Sequence, residues 1–180
     1  GYDLINETNW DFENSGNENG VNCIHNIPLL NMHKRLIDTI RTIDTNHIVF
    51  VSGNSWGNNY NGMDALASHD DNLAYTFHKY WNTNNENDVE WITKERERLN
   101  VPLWMSESGE NSNQWFADAI KLFENNNIGW SWWPVKKEGI NNVMYVELPG
   151  NYDTLTKVWK NELSLNLSSD YIFEAVLDWA

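Results

Sequence analysis

The feature that most constrains the fold of this chain is a regular alternation of strand-like and helix-like segments. Short runs of β-branched and aromatic residues lie at positions 2–6, 47–52, 73–77, 101–105 and 128–132. From the second run onward, successive runs begin 26, 28 and 27 residues apart, which is close to the length of a βα unit. Apolar residues recur at helical spacing at positions 28–44, 88–99, 114–124, 152–161 and 170–179. This order predicts parallel strands joined by helical crossovers.

Such a pattern leaves two architectures, a doubly wound sheet and a (β/α)8 barrel. No glycine-rich phosphate loop follows the first strand, as a dinucleotide-binding sheet would require. Polar residues follow several strands directly, at the end where barrel enzymes keep their sites. A whole barrel has eight strands and about 250 residues. We therefore predict an incomplete (β/α)8 barrel that contains only about the last five βα units, with one sheet edge left open.

Composition excludes several classes of function. The chain has 180 residues and a formal net charge of −14, which argues against binding to nucleic acid or to an anionic membrane surface. The single cysteine, Cys23, cannot form an internal disulfide framework or a cysteine-rich zinc site. The five histidines do not follow a metal-binding motif, so we predict no metal and no other cofactor.

Two glutamates directly follow predicted strands. Glu7 ends the segment 2–7, and Glu107 follows the run 101–105 after one serine. In a regular strand alternate side chains share a face, so Glu107 is expected on the face of Met105, and Glu7 on the face of Ile5. Carboxylates about 5 to 5.5 Å apart are the pair that retaining glycosidases use. In so acidic a chain, a single glutamate at such a position is far more often a surface loop residue, and only the combination points to catalysis.

Other strand ends carry residues that suit the same chemistry. His78 and Tyr80 follow the third run and are two positions apart, so they face the same way on an extended chain. Trp56 follows the second run, and Trp133 follows the fifth. A tryptophan at a strand end offers a flat apolar face on which a sugar ring can pack.

These segments together resemble the carboxyl-terminal part of the family 5 glycoside hydrolases, the cellulase family. The resemblance lies in five segments whose order and spacing agree over nearly the whole chain: residues 4–7, 53–57, 78–80, 101–109 and 129–133. It implies that residues 1–180 are the carboxyl-terminal part of a single glycoside hydrolase catalytic domain. It also implies an extracellular or periplasmic location.

The resemblance implies a role for each matching residue. Glu7 would be the acid/base and Glu107 the nucleophile. Asn6 would bond the 2-hydroxyl of the sugar that is cleaved, His78 would lie beside the acid/base, and Tyr80 would donate a hydrogen bond to the nucleophile. The two tryptophans would bind substrate, with Trp133 as the floor on which the sugar stacks.

Two departures from the family pattern matter. The usual Gly-Glu-Phe-Gly at the seventh barrel strand reads Ser-Glu-Ser-Gly at 106–109, and Glu110 follows it as a rival nucleophile. We favour Glu107 because Glu110 lies past the glycine and off the strand. The family also uses an arginine and a histidine from its second and third strands, which this segment lacks. The isolated segment is therefore expected to be inactive.

We therefore predict a retaining glycoside hydrolase that acts on a neutral glycan of the β-glucan or β-mannan type and is a monomer when full length. The strongly negative charge argues against polyuronate substrates. The first alternative is a non-catalytic carbohydrate-binding pseudo-enzyme on the same barrel. A barrel of another reaction class would need a Schiff-base lysine or a metal–carboxylate cluster, and no predicted strand ends in lysine.

Overall fold

The computed structural model describes residues 1–138 and 141–179. The chain divides into two compact units, Gly1–Trp133 and Pro134–Ala180. All of the residues predicted to form the site belong to the first unit, so the two units are described separately.

The first unit contains one parallel sheet of five strands. The strands are β1 (Tyr2–Asp3), β2 (Val49–Ser52), β3 (Leu73–His78), β4 (Leu103–Glu107) and β5 (Gly129–Trp130). They pair in chain order, and each pair is parallel. The prediction of five parallel strands is confirmed. The end of β1 differs from the prediction: the strand stops at Asp3, whereas the sequence predicted a strand up to position 6.

Helices connect the strands as the apolar spacing predicted. They are α1 (Ile27–Arg41), α2 (Asn54–Gly57), α3 (Asn87–Leu99) and α4 (Asn113–Asn125). Pro28 lies in the first turn of α1, where its missing N–H group is not needed. Ser112 caps α4, because its side chain accepts a hydrogen bond from the N–H of Trp115. The single turn α2 is not a regular helix, because Ser55 and Trp56 have left-handed backbone angles, and it was not predicted from the sequence.

The core lies between one face of the sheet and these helices. Buried side chains from β2, β3 and β4 form a continuous cluster with helical residues such as Ile37, Ile92 and Phe123. Residues of the opposite sheet face include Phe50 and Trp104, whose rings pack with centroids 4.5 Å apart. The alternation of the strands therefore separates a helix-covered face from a face that carries aromatic residues.

Buried asparagines hold the long connection between β1 and α1. The side-chain amide of Asn54 donates to the carbonyl of Trp10 and to Oδ1 of Asn26, both at 2.8 Å. Its own oxygen accepts from the N–H of Trp10 at 3.0 Å. Asn59 donates to the carbonyls of Gly20 and Cys23. These asparagines have satisfied hydrogen bonds inside the fold and stabilise the loop that follows Glu7.

The second unit contains two short strands and two helices. The strands β6 (Lys136–Glu138) and β7 (Met144–Val146) pair with each other, and the helices are α5 (Gly150–Trp159) and α6 (Ser169–Trp179). Leu155 of α5 and Ala175 of α6 are fully buried. The hydroxyl of Tyr171 donates to the carbonyl of Asn151 at 3.1 Å, which joins the two helices. Across the residues that the structure describes, no helix is both long and apolar enough to cross a membrane.

Replacing Tyr60 by phenylalanine should destabilise the sheet. The Tyr60 hydroxyl lies 2.6 Å from the carbonyl of Val51 and 2.7 Å from that of Thr76, and it accepts the N–H of Thr76 at 3.1 Å. Its loss would remove a buried partner of the Thr76 N–H and carbonyl, whereas the carbonyl of Val51 would keep the hydroxyl of Thr76 at 3.2 Å. We expect Tyr60→Phe to lower the free energy of unfolding by about 1 to 3 kcal/mol, measured by urea denaturation.

Tyr75→Phe is the matched control. Its ring stacks on that of Tyr60 at 4.4 Å, but its buried hydroxyl makes no hydrogen bond of good geometry among the described residues. The control should change the free energy of unfolding by less than about 0.5 kcal/mol, or increase it. Equal losses in the two variants would contradict a role for the Tyr60 hydroxyl.

Candidate active site

A cleft of about 550 Å³ opens at the carboxyl end of the sheet. Parallel strands bring their carboxyl ends to the same edge, so residues far apart in the sequence meet there. The cleft is lined by Glu7, Trp56, Asn58, His78, Lys79, Tyr80, Trp81, Asn82, Glu107, Glu110 and Trp133. Six of the seven residues that the sequence analysis singled out are in this set.

Glu7 reaches the cleft from a loop. Because β1 ends at Asp3, the expected alternation of Ile5 and Glu7 on a strand does not apply. Glu7 has a left-handed backbone with φ 48°. This conformation is uncommon for residues other than glycine, and it recurs at functional sites. The carbonyl of Thr8 accepts the N–H of Trp56 at 3.0 Å, which ties this loop to the end of β2.

Glu107 enters the cleft because the ladder between β3 and β4 is irregular. Phe77 pairs with Met105, but His78 pairs with Glu107, so Ser106 is the extra residue of a bulge. Side chains in register point the same way, and His78 and Phe77 point to opposite faces. Glu107 therefore lies on the face opposite to Met105, and the regular alternation that placed the two together was wrong.

The carboxylates and their partners form a compact cluster. Nδ1 of His78 lies 2.9 Å from Oε1 of Glu7 and 3.9 Å from Oε1 of Glu107. One atom from each of the three side chains lies within 4.8 Å of the other two. The two carboxylates are thus close to the separation of about 5 to 5.5 Å that retaining glycosidases show. The His78 side chain is buried, whereas both carboxylates are partly exposed to the cleft.

Tyr80 is the second partner of Glu107. Its hydroxyl donates to Oε1 of Glu107 at 2.5 Å. Burial, together with the hydrogen bond to Glu107 and its negative charge, raises the pKa of Tyr80 far above the ordinary value. The tyrosine is therefore protonated at neutral pH, and it remains a hydrogen-bond donor to the carboxylate.

The same cluster contains the donor types of a metal site. Glu7, His78 and Glu107 offer two carboxylate oxygens and an imidazole nitrogen, which are ligands that zinc accepts. The absence of a metal requirement stays a prediction.

Aromatic side chains form the walls of the cleft. Trp56 has φ 55°, and the preceding Ser55 has φ 51°, so two consecutive left-handed residues turn the chain sharply after β2. Trp133 is 59% exposed, and its backbone N–H donates to the carbonyl of Ser108 at 2.6 Å. That contact joins the segment after β5 to the segment after β4.

Sequence reasoning missed several residues that line the cleft. It did not select Trp81, Asn82, Asn58 or Lys79, although Trp81 and Lys79 flank Tyr80 in the sequence. The signal available in the sequence was a tryptophan shortly after a predicted strand end. Asn6, which the sequence analysis proposed as a substrate ligand, is exposed and is not among the residues that line the cleft.

Comparison with known proteins identifies the family. The family model described as cellulase, glycosyl hydrolase family 5, matches residues 1–139. The chain therefore belongs to glycosyl hydrolase family 5, which confirms the resemblance seen in the sequence. No curated protein sequence matches the chain significantly.

Solved structures agree on the fold. The chain is similar to XacCel5A in complex with cellopentaose, with a TM-score of 0.52 and 14% identity over 63% of this chain and 46% of that one. It is also similar to the β-mannanase of Thermomonospora fusca in its mannohexaose complex, with a TM-score of 0.50 and 18% identity over 66% of this chain and 41% of that one. The chain thus spans less than half the length of these structures. Their fold and the five parallel strands agree with an incomplete (β/α)8 barrel.

Adding a methyl group at Gly109 should disrupt the link between β4 and Trp133. Gly109 has φ +152°, and a Cβ atom there would lie 2.0 Å from the carbonyl oxygen of Trp133. The backbone would have to move, so we expect Gly109→Ala to lower the free energy of unfolding by about 3 kcal/mol. The measurement is urea denaturation of the variant and the wild type.

Gly16→Ala is the control for the conformational part of this effect. Gly16 also has a positive φ, of +76°, but nothing lies within 4 Å of a Cβ atom added there. It should lower the free energy of unfolding by only about 1 kcal/mol, through backbone strain alone. An equal loss in the two variants would show that the contact with Trp133 is unimportant.

Proposed function

We propose that this chain is the carboxyl-terminal part of a single retaining glycoside hydrolase catalytic domain, spanning residues 1–180. The enzyme would cleave β-glycosidic bonds of a neutral glycan with Glu7 as acid/base and Glu107 as nucleophile. The observation that carries the proposal is the approach of these two carboxylates to within 4.8 Å, in a cleft walled by tryptophan. Each carboxylate has its own hydrogen-bond partner, His78 for Glu7 and Tyr80 for Glu107.

The proposed reaction has two displacements. In the first, an oxygen of Glu107 forms a bond to the anomeric carbon while the bond from that carbon to the glycosidic oxygen breaks. Glu7 gives its proton to the leaving oxygen. In the second, Glu7 removes a proton from water, whose oxygen then replaces Glu107 at the anomeric carbon. The carboxylate of Glu107 and the proton on Glu7 are both restored, so no external oxidant, reductant or metal is consumed.

The surroundings of the carboxylates favour these different roles. Tyr80 donates to Glu107, and a hydrogen bond to the charged form stabilises the ionised state that a nucleophile needs. His78 contacts Glu7 and lies nearer to Glu7 than to Glu107, at 2.9 Å against 3.9 Å. An imidazole can donate to a carboxylate or accept from a carboxylic acid, so it can follow Glu7 through both protonation states.

The proposed substrate is an oligosaccharide or polysaccharide of the β-glucan or β-mannan type. The net charge of −14 opposes an acidic glycan. The similar structures bind cellopentaose in one case and mannohexaose in the other, so both glycans are candidates. Trp133 and Trp56 would supply stacking surfaces for the sugar rings.

Chemical rescue would test the assignment of both glutamates. We expect Glu107→Ala in the full-length protein to lose about 10⁴-fold or more of kcat on an activated aryl β-glycoside. Sodium azide should then restore turnover and give the α-glycosyl azide, because the anion attacks where the nucleophile did. In Glu7→Ala, azide should give the β-glycosyl azide, because the covalent intermediate still forms.

Glu110→Ala is the control for the neighbouring carboxylate. Glu110 also lines the cleft, but it follows the glycine at 109 and lies outside β4, so Glu110→Ala should lose far less activity than Glu107→Ala. Loss of activity in Glu110→Ala with activity retained in Glu107→Ala would reverse the assignment. Wild-type protein that binds the glycan but never hydrolyses it would instead support the pseudo-enzyme.

Removing the Tyr80 hydroxyl should slow the reaction. A hydrogen bond to a charged group contributes about 1.5 to 3 kcal/mol, so we expect Tyr80→Phe to lower kcat about 10- to 100-fold. The measurement is steady-state kinetics of the full-length protein on the same aryl glycoside. Tyr145→Phe, at an exposed position of β7, should leave kcat unchanged. A Tyr80→Phe variant with wild-type kcat would refute the proposed support of the nucleophile.

A further inference from the structure

Lys79 has an unusual environment for a lysine. It lies between His78 and Tyr80, and the residue is only 4% exposed. Its ammonium group donates to the carbonyl of Thr83 at 2.8 Å and to Oδ1 of Asn84 at 2.7 Å, with a longer contact of 3.4 Å to the carbonyl of Asn82. The group also lies 4.9 Å from the centre of the Trp115 ring. One side chain thus contacts three successive residues of the loop that follows β3.

Burial of this charge is unfavourable by itself. Desolvation lowers the pKa of Lys79 to about 8, although the charge of Asp88 opposes the shift. The acceptors at the ammonium group are neutral oxygens, and the face of an aromatic ring stabilises a cation further. An apolar side chain would avoid the desolvation penalty but could not draw the carbonyl groups of the loop inward. The lysine therefore holds residues 82–84 around its ammonium group, which bends the loop formed by residues 80–84.

The backbone of Lys79 is also fixed to the strand that carries the proposed nucleophile. Its N–H donates to the carbonyl of Glu107 at 3.2 Å, and its carbonyl accepts the hydroxyl of Ser108. Further along the loop, the indole N–H of Trp115 donates to the carbonyl of Asn82 at 2.9 Å. The loop consequently starts from a rigid position beside the two carboxylates.

The outer side of this loop faces the cleft. Trp81 and Asn82 both line it, and Trp81 is 90% exposed. The ring of Trp81 lies 6.4 Å from that of Tyr80, which contacts Glu107. The ring of Tyr80 thus lies between Trp81 and Glu107, and a large exposed ring in that position has the properties of a stacking surface for a more distant sugar.

We propose that Lys79 is a positioning residue whose buried ammonium group folds residues 80–84 into a substrate-binding loop that presents Trp81 to a sugar ring beyond the bond being cleaved. This inference rests on the proposed function. It names a determinant of substrate length that acts through Trp81, at a distance from the chemical step.

The test compares long and short substrates on the full-length protein. We expect Lys79→Met and Trp81→Ala each to raise KM for cellopentaose or mannopentaose about 2- to 10-fold, with a smaller change in kcat. The KM for a short aryl β-glycoside should rise less, because that substrate does not reach Trp81. The double variant should be no worse than Trp81→Ala, since the lysine acts through the tryptophan. Lys94→Met removes an exposed lysine of α3 and should match the wild type.

Several outcomes would overturn the proposal. These are a fall in kcat with KM unchanged, effects of the two single variants that multiply in the double variant, or a Lys79→Met variant that behaves like Lys94→Met. Where Lys79→Met does not fold, Asn84→Ala removes one acceptor of the ammonium group and should show the same preferential rise in KM for the pentasaccharides.

A second measurement separates this proposal from the proposed function. Calorimetric binding of cellopentaose and mannopentaose does not depend on turnover. Weaker binding by Lys79→Met and Trp81→Ala would support the loop assignment even if the wild type hydrolysed nothing, in which case the hydrolase proposal alone would fail. Equal binding by the variants and the wild type would reject the loop assignment.

Discussion

The ladder between β3 and β4 is the interaction on which the site depends. It fixes the register of β3 against β4. Its bulge at Ser106 places Glu107 on the same face of the sheet as His78. Without the extra residue, the carboxylate would point toward the helices with Met105, into apolar surroundings where a charge is costly. A local irregularity in hydrogen bonding thus places a charged group where a cleft exists to receive it.

Groups on three strand ends then hold one another in place. His78 touches both carboxylates, Tyr80 donates to Glu107, and the backbone of Lys79 pairs with that of Glu107. Three consecutive residues of β3 and its extension therefore contact the two groups proposed to do the chemistry. The arrangement resists independent motion of the carboxylates, which favours a fixed separation between them.

The sequence was sufficient for the strands and for most of the cleft, because both follow from periodicity. Alternating apolar runs predicted five parallel strands, and the rule that strand ends share one edge brought Glu7, His78 and Glu107 together. It was insufficient for the bulge, since no residue type at 105–107 signals an extra residue in the ladder. The sequence also did not single out Lys79. Its proposed role depends on contacts between its ammonium group and residues 82–84, which appear only once the loop is folded.

The contact between Gly109 and Trp133 is made by backbone atoms alone. The N–H of Trp133 reaches the carbonyl of Ser108, and Gly109 leaves room for the main chain to pass. The location of position 133 beside the carboxylates is therefore independent of the side chain that it carries. A different side chain at position 133 would therefore change the surface of the cleft while the backbone there, and with it the positions of Glu7 and Glu107, stayed the same.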